Sequence, residues 1–166
     1  MNILVSGLLN TETTTAVRGF PIHYYPIDYA FFGVNTAVSG VAFNIAKALR
    51  TLGDGVRLNS MTGSDFAAAY IRDALRQLNI GTEFVRSVLR QTPSSVVLYD
   101  PEGKRQIYCD LKDIQETACE FDPSILEGDR PGGGLQHQFQ PPPAAPGESR
   151  RENHRHGRPR AFQYLR

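Results

Sequence analysis

Apolar residues along this chain change period several times, and each change marks an element. Residues 2–6, NILVS, form a short continuous apolar run closed by Gly7, which predicts a buried strand followed by a loop, GLLNTETT. Residues 19–33, GFPIHYYPIDYAFFG, hold six of the sixteen aromatic residues together with Pro21 and Pro26. Proline excludes a helix interior and a central strand, so this segment is expected to form edge strands or a flap. Over residues 40–52, Val41, Ile45, Ala48, Leu49 and Leu52 recur at helical spacing, and Gly53 stands where a C-terminal cap falls. GVRLNSM then alternates as a strand around Val56 and Leu58.

The next helix is SDFAAAYIRDALRQLNIG, with Ser64 or Asp65 as its cap, a stripe of Ile71, Leu75 and Leu78, and Gly81 beyond its end. TEFVRSV reads as a strand. SSVVLYDPEGKRQIYCD reads as a hairpin, because Asp100-Pro101-Glu102-Gly103 suits a type I turn. Strands alternating with helices predict a layered α/β domain with a mainly parallel sheet.

Composition narrows this without redirecting it. The chain has 166 residues, 40% of them hydrophobic and 21% charged, with a formal net charge of +1. That balance argues against a nucleic-acid or acidic-membrane partner. The charge is uneven, however. Residues 128–166 carry seven Arg against three acidic residues, so a basic tail follows an acidic-leaning body. Two cysteines, Cys109 and Cys119, are too few for a disulfide scaffold and lack zinc spacing, which makes a reducing, cytoplasmic setting the expectation. Met1 to Leu9 is apolar but short and has no basic lead, so no signal peptide is expected, and no run approaches a membrane span.

Candidate chemistry gathers at the start of the first helix. In open α/β sheets, ligands sit beyond the carboxyl ends of strands, where loops lead into helices. Gly40 stands at such a start, where a missing Cβ lets a ligand approach unpaired N–H groups. Asn44, one turn in, both donates and accepts hydrogen bonds, which suits sugar hydroxyls. The plainer reading is that Gly40 only permits close packing and Asn44 only caps a loop.

The stretch SGVAFNIAKALRTLGDGVRLNSMTG, residues 39–63, resembles the N-terminal signature of the ribokinase-like (PfkB) carbohydrate kinases. That signature is a small residue and Gly, a gap, Asn, one residue and a small residue. A Gly or Ser follows after six residues, and a final Gly after nine more. Its positions fall on Gly40, Asn44, Ala46, Gly53 and Gly63. Ser39 stands where the family usually has Gly or Ala. TGSDFAAAYIRDALRQLNIG and TPSSVVLYDPEGKRQIY are similar to the segments that follow. GLLNTETT resembles the loop where many members place Asn and an acid against sugar hydroxyls, which implies Asn10 and Glu12, although the family more often has Asp at the second position.

The resemblance covers about residues 1–127 and implies a doubly wound α/β fold with a small β lid over a sugar site. Residues 19–33 and 94–109 would be the lid strands, and Ser95 and Val97 would line the lid side. It also implies a small-molecule sugar as substrate and ATP and Mg²⁺ as cofactors of the full-length family member, whose site would need the missing half. The lid strands could pair between subunits as a homodimer, as edge strands readily do.

The family places its catalytic base in a Gly-Ala-Gly-Asp-like run that opens an anion-binding helix. No such run occurs in this sequence, and Asp129 is followed by Arg130-Pro131. Residues 128–166 hold little apolar material between Arg130 and Arg160 and six of the eleven prolines, so they are expected to be disordered. SRRENHRHGRPR could otherwise serve as a nucleic-acid arm, and His154 and His156 as weak metal ligands. Read one base later, the codons of GGGLQHQFQ admit an apolar strand. A frame shift near Gly128 is therefore the expected origin of the tail, leaving a truncated, inactive sugar kinase. A catalytically dead sugar-binding or dimerisation module is the alternative.

Overall fold

The structure is a computed structural model that describes residues 2–119, 121–126 and the backbone of 135–136. Two sheets share the chain. The first has order β5-β4-β1-β8, built from β1 (Asn2–Ser6), β4 (Gly55–Thr62), β5 (Val85–Ser87) and β8 (Leu135–Gln136), with every pairing parallel. The second has order β3-β2-β6-β7, from β2 (Asn10–Ala16), β3 (Val34–Ser39), β6 (Ser94–Tyr99) and β7 (Arg105–Asp110). Here β2 runs antiparallel to β3 and parallel to β6, and β7 returns antiparallel to β6. Helix α1 (Val41–Thr51) leads from β3 of the second sheet to β4 of the first, α2 (Phe66–Gln77) connects β4 to β5, and a short 3₁₀ turn spans Pro123–Leu126. This mixed α/β architecture agrees with the sequence expectation.

The core forms where the helices cover the parallel sheet. Ile3 and Val5 of β1, Leu58 of β4 and Val85 of β5 pack with Ala42, Phe43 and Ala46 of α1 and Ile71 and Leu75 of α2. Leu4 is buried too, so β1 is covered on both faces, as a continuous apolar strand requires. The inward stripe of α1 is shifted from the one its apolar spacing predicts. Val41 and Leu52 lie exposed, whereas Ala42 and Ala46 face inward. Small residues bring the helix close to the sheet, and Phe43 supplies the volume.

The second sheet departs further from expectation. GLLNTETT was expected to be loop, but from Asn10 onward it is β2, flanked by strands on both sides. Its threonines have strand propensity, yet its polarity hides a position that is only partly buried. Residues 19–33, expected to form edge strands or a flap that supplies lid strands, contain no strand; β3 begins at Val34. Pro21 and Pro26 lack the N–H donors that a ladder needs there. The hairpin at 94–109 is present as β6 and β7. Its turn is closed by Gly103 N–H to Asp100 O at 3.1 Å, with Gly103 at φ 84° and the Asp100 carboxylate accepting from the N–H groups of Glu102 and Lys104.

The expectation of a disordered, out-of-frame tail over 128–166, with its histidines, lies outside the described residues except at Leu135–Gln136. The backbone of those two residues pairs with Val5 and Ser6 on the β1 edge, whose backbone groups need partners. No helix among the described residues is long and apolar enough to cross a membrane.

Two close contacts join the sheets. At Gly40, φ is +104°, and a Cβ there would lie 2.4 Å from the Leu8 carbonyl oxygen and 3.0 Å from Leu9 Cα. The same Leu8 carbonyl accepts the Ala42 N–H at 3.2 Å, which presses the first turn of α1 onto the β1–β2 connection. The second contact is the cap of α2. Asp65 Oδ1 accepts from the Ala68 N–H at 2.9 Å and the Thr92 hydroxyl at 2.6 Å, while Oδ2 accepts the Thr92 N–H at 2.8 Å. Thr92 Oγ1 also accepts the Gly63 N–H at 3.0 Å. One carboxylate thus caps the helix and ties it to the strand that becomes β6.

Gly40→Ala should lower stability by roughly 3 kcal/mol, since it combines a left-handed backbone with a steric clash, and urea unfolding would measure the loss. Burial pushes the Asp65 carboxyl up, but the hydrogen bonds from Thr92 and Ala68 outweigh it and hold the group below its ordinary value. Its stabilising contribution is therefore present above about pH 4 and is lost as pH falls through the lower folded-state value. Urea midpoints followed from pH 7 to pH 3 should fall on the acid side, and Asp65→Asn should be less stable at pH 7 and flatter in acid.

Candidate functional site

The β1–β2 connection delivers Asn10 to the start of β2, and the β2–β3 register sets it opposite Ser39, the residue before Gly40. The parallel β2–β6 register sets Glu12 opposite Ser95 and Thr14 opposite Val97. Paired residues share a face, so Asn10, Glu12, Ser39, Ser95 and Val97 lie on one side of the second sheet. Asn10, Ser95 and Val97 are buried. Of the six residues singled out from the sequence, Asn10, Glu12, Gly40, Ser95 and Val97 are brought together. Asn44 is one helical turn away, with its backbone N–H on the Gly40 carbonyl at 3.0 Å and its side chain exposed.

The hydrogen bonds give this cluster a direction. Asn10 Nδ2 donates to Ser95 Oγ at 3.0 Å, while Asn10 Oδ1 is buried without a partner among the described residues. A buried carbonyl oxygen without a donor is costly, at about 1–3 kcal/mol. A hydroxyl brought by a ligand would satisfy it. Glu12 Oε2 accepts from Ser39 Oγ at 3.4 Å, so the two positions that depart from the expected pattern touch one another. Ser39 was not among the candidate residues. Its signal was that a hydroxyl replaced the usual small apolar residue in the same chain that lengthened the nearby acid to Glu12.

The cluster offers one orphan amide oxygen, one carboxylate and two serine hydroxyls, which suit a polyol bearing several donors. Thr62 Oγ1, at the end of β4, is also buried without a partner among the described residues. No three His, Cys, Asp or Glu side chains come together among the described residues in a group able to hold a metal ion.

The fold and the motif converge on known proteins. The profile of pfkB family carbohydrate kinases matches residues 2–123. No curated protein is similar enough to this chain to match it. Among solved structures, a microbiome-derived acarbose kinase is similar at 23% identity and a TM-score of 0.63, over 75% of this chain and 40% of that one. A ribokinase from Arabidopsis thaliana, complexed with ribose and ATP, is similar at 20% identity and a TM-score of 0.55, over 65% of this chain and 35% of that one. A nucleoside kinase from Burkholderia thailandensis, in complex with inosine, is similar at 21% identity and a TM-score of 0.54, over 66% and 36%. These likenesses show the ribokinase-like fold, and the chain spans about 40% or less of the length of each of these three. With its family profile matched over most of its length, its Gly40–Asn44 motif placed at the start of α1 and its two-sheet α/β fold, the chain belongs to the PfkB family of carbohydrate kinases.

Proposed function

We propose that this chain is the sugar-binding part of an ATP-dependent carbohydrate kinase, one that transfers the γ-phosphoryl group to a sugar hydroxyl. The observation that carries the reading is the orphan Asn10 Oδ1, buried beside Glu12 and held in place by Ser95. Ser95 engages the amide nitrogen, so the oxygen faces the ligand as an acceptor. In this reading a sugar hydroxyl donates to Asn10 Oδ1 and a second to Glu12. The Gly40 backbone and the Asn44 amide line the helix side, and Ser95 and Val97 line the lid side. The solved relatives bound to ribose with ATP, or to inosine, support a sugar or nucleoside as the kind of substrate.

The nucleotide half is a different matter. Phosphoryl transfer depends on positioning, Mg²⁺ and a base that accepts the hydroxyl proton. The described residues offer neither a metal-holding cluster nor a glycine-rich anion loop, and the Gly-Ala-Gly-Asp-like run is absent from the sequence. They do not fit ATP and Mg²⁺, and the chain as written is proposed to be inactive. The same proposal places it in the cytoplasm and reads residues 128–166 as out of frame. Resequencing the gene around Gly128 should then show a long open continuation in the next frame.

One observation favours a second reading, that of a catalytically inactive sugar-binding or dimerisation module. Every residue of β7 is exposed, and β7 is an edge of its sheet, with Ile107 and Tyr108 on the surface. Such an edge readily pairs with another copy.

Calorimetry with ribose, other monosaccharides and nucleosides should detect one that binds the 166-residue chain. Asn10→Ala should weaken it by about tenfold or more, the loss expected when one buried hydrogen bond to a substrate hydroxyl disappears. Binding by none, or binding indifferent to Asn10→Ala, would remove the basis of the sugar-site reading. ATP should not bind, and phosphate appearing on any sugar would overturn the proposed inactivity.

A further inference from the structure

The segment between β2 and β3 is far larger than a turn needs to be, and its chemistry is not that of a spacer. It is pinned at the neck: the Ala16 N–H donates to Gly33 O at 2.8 Å, the Val17 N–H to Tyr99 O at 2.8 Å, and the Gly33 N–H to Ala30 O at 2.9 Å. A Cβ on Gly33 would lie 3.0 Å from that of Ala16 and 3.1 Å from that of Ala30, so the two ends of the segment are packed closely together. Beyond the neck, large apolar side chains point outward, with Tyr24, Tyr29 and Phe31 all more than 70% exposed. The rings of Tyr29 and Phe31 stack with centroids 6.0 Å apart.

Inside this segment lies a cavity of about 260 Å³, whose lining includes Arg18, Phe20, Ile22, His23, Tyr25 and Asp28. Arg18 Nη2 donates to Asp28 Oδ1 at 2.7 Å, and the Arg18 guanidinium carbon lies 4.7 Å from the Tyr25 ring centroid. We propose that this cavity is a separate binding site for a neutral sugar ring, distinct from the Asn10 cluster. The charges of Arg18 and Asp28 offset one another, so the pair itself offers no net charge to attract an anion. The pair still presents unused guanidinium N–H donors and a second carboxylate oxygen, a donor–acceptor couple that matches a vicinal diol. Arg18 already covers one face of Tyr25, so a nucleobase could not be sandwiched there. The apolar wall of Phe20 and Ile22 matches the C–H face of a pyranose instead. Asn10 and Ala16 stand at opposite ends of β2, about 20 Å apart at strand rise, so one monosaccharide could not touch both places.

Saturation-transfer NMR on the full 166-residue chain, with glucose, galactose, mannose, maltose and maltotetraose as probes, tests this. The expected result is transfer to ring protons of at least one saccharide that survives Asn10→Ala. It should weaken by about tenfold or more in Asp28→Ala and in Tyr25→Ala, the loss of one charge-assisted hydrogen bond or one stacking wall. Asp28→Asn, which keeps an acceptor oxygen, should weaken it less. Far-UV circular dichroism should be unchanged in all three flap variants, since the substituted side chains lie in an exposed segment. Transfer to none of the saccharides, transfer undiminished in both Asp28→Ala and Tyr25→Ala, or transfer lost only in Asn10→Ala would each overturn the proposal. Preferential transfer to adenosine or benzoate, run as competing probes, would overturn it too. Failure of the Asn10 site reads out separately, as indifference of monosaccharide binding to Asn10→Ala.

Discussion

A missing Cβ at Gly40 organises this fold. The first turn of α1 presses against the Leu8 carbonyl, and no L side chain fits between them at the backbone angle found there. That contact holds the end of β3 beside the start of β2. Antiparallel pairing then sets Asn10 opposite Ser39, and parallel pairing carries Glu12 to Ser95. The polar cluster follows from one close backbone approach followed by strand register, in which a slip of one residue would turn every one of these side chains to the other face.

The Asp65 carboxylate does comparable work on the other side. It caps α2 and binds both the N–H and the hydroxyl of Thr92, two residues before β6 begins. The helix that covers the parallel sheet is therefore tied to the strand that carries Ser95 and Val97. Glycine is required at position 63 for a related reason, because a Cβ there would lie 2.8 Å from the Thr92 nitrogen. The Gly-x-Asp segment is a structural clasp that fixes how the two sheets meet, while the side chains proposed to touch a ligand come from β2, β6 and α1.

Polar groups at the cluster are incompletely satisfied, and the flap exposes more aromatic surface than stability calls for. Both features cost free energy in an isolated chain. Folded proteins concentrate such costs where something binds. That argument applies to the Asn10 oxygen and to the aromatic flap that holds the Arg18–Asp28–Tyr25 cavity, which sit at opposite ends of the same strand.

The sequence alone determined the parallel-sheet α/β class, both helices, the Asp100–Gly103 turn and the family, because each rests on local signals: apolar period, caps, turn chemistry and a spaced glycine–asparagine motif. It did not reveal β2 or β3. β2 is paired on both sides but only partly buried, and β3 is a largely exposed edge strand, so neither carries clear apolar alternation, and NTETTTA reads as loop until its neighbours are known. Residues 19–33, read as edge strands or a flap, hold no strand, and Pro21 and Pro26 lack the backbone N–H that a ladder needs. Asn10 and Glu12 were legible as candidates; the Ser39–Glu12 contact and the Ser95 bond that aims the Asn10 oxygen were not. Those depend on register between strands distant in sequence, and register is decided only when the two sheets and the helices between them pack together.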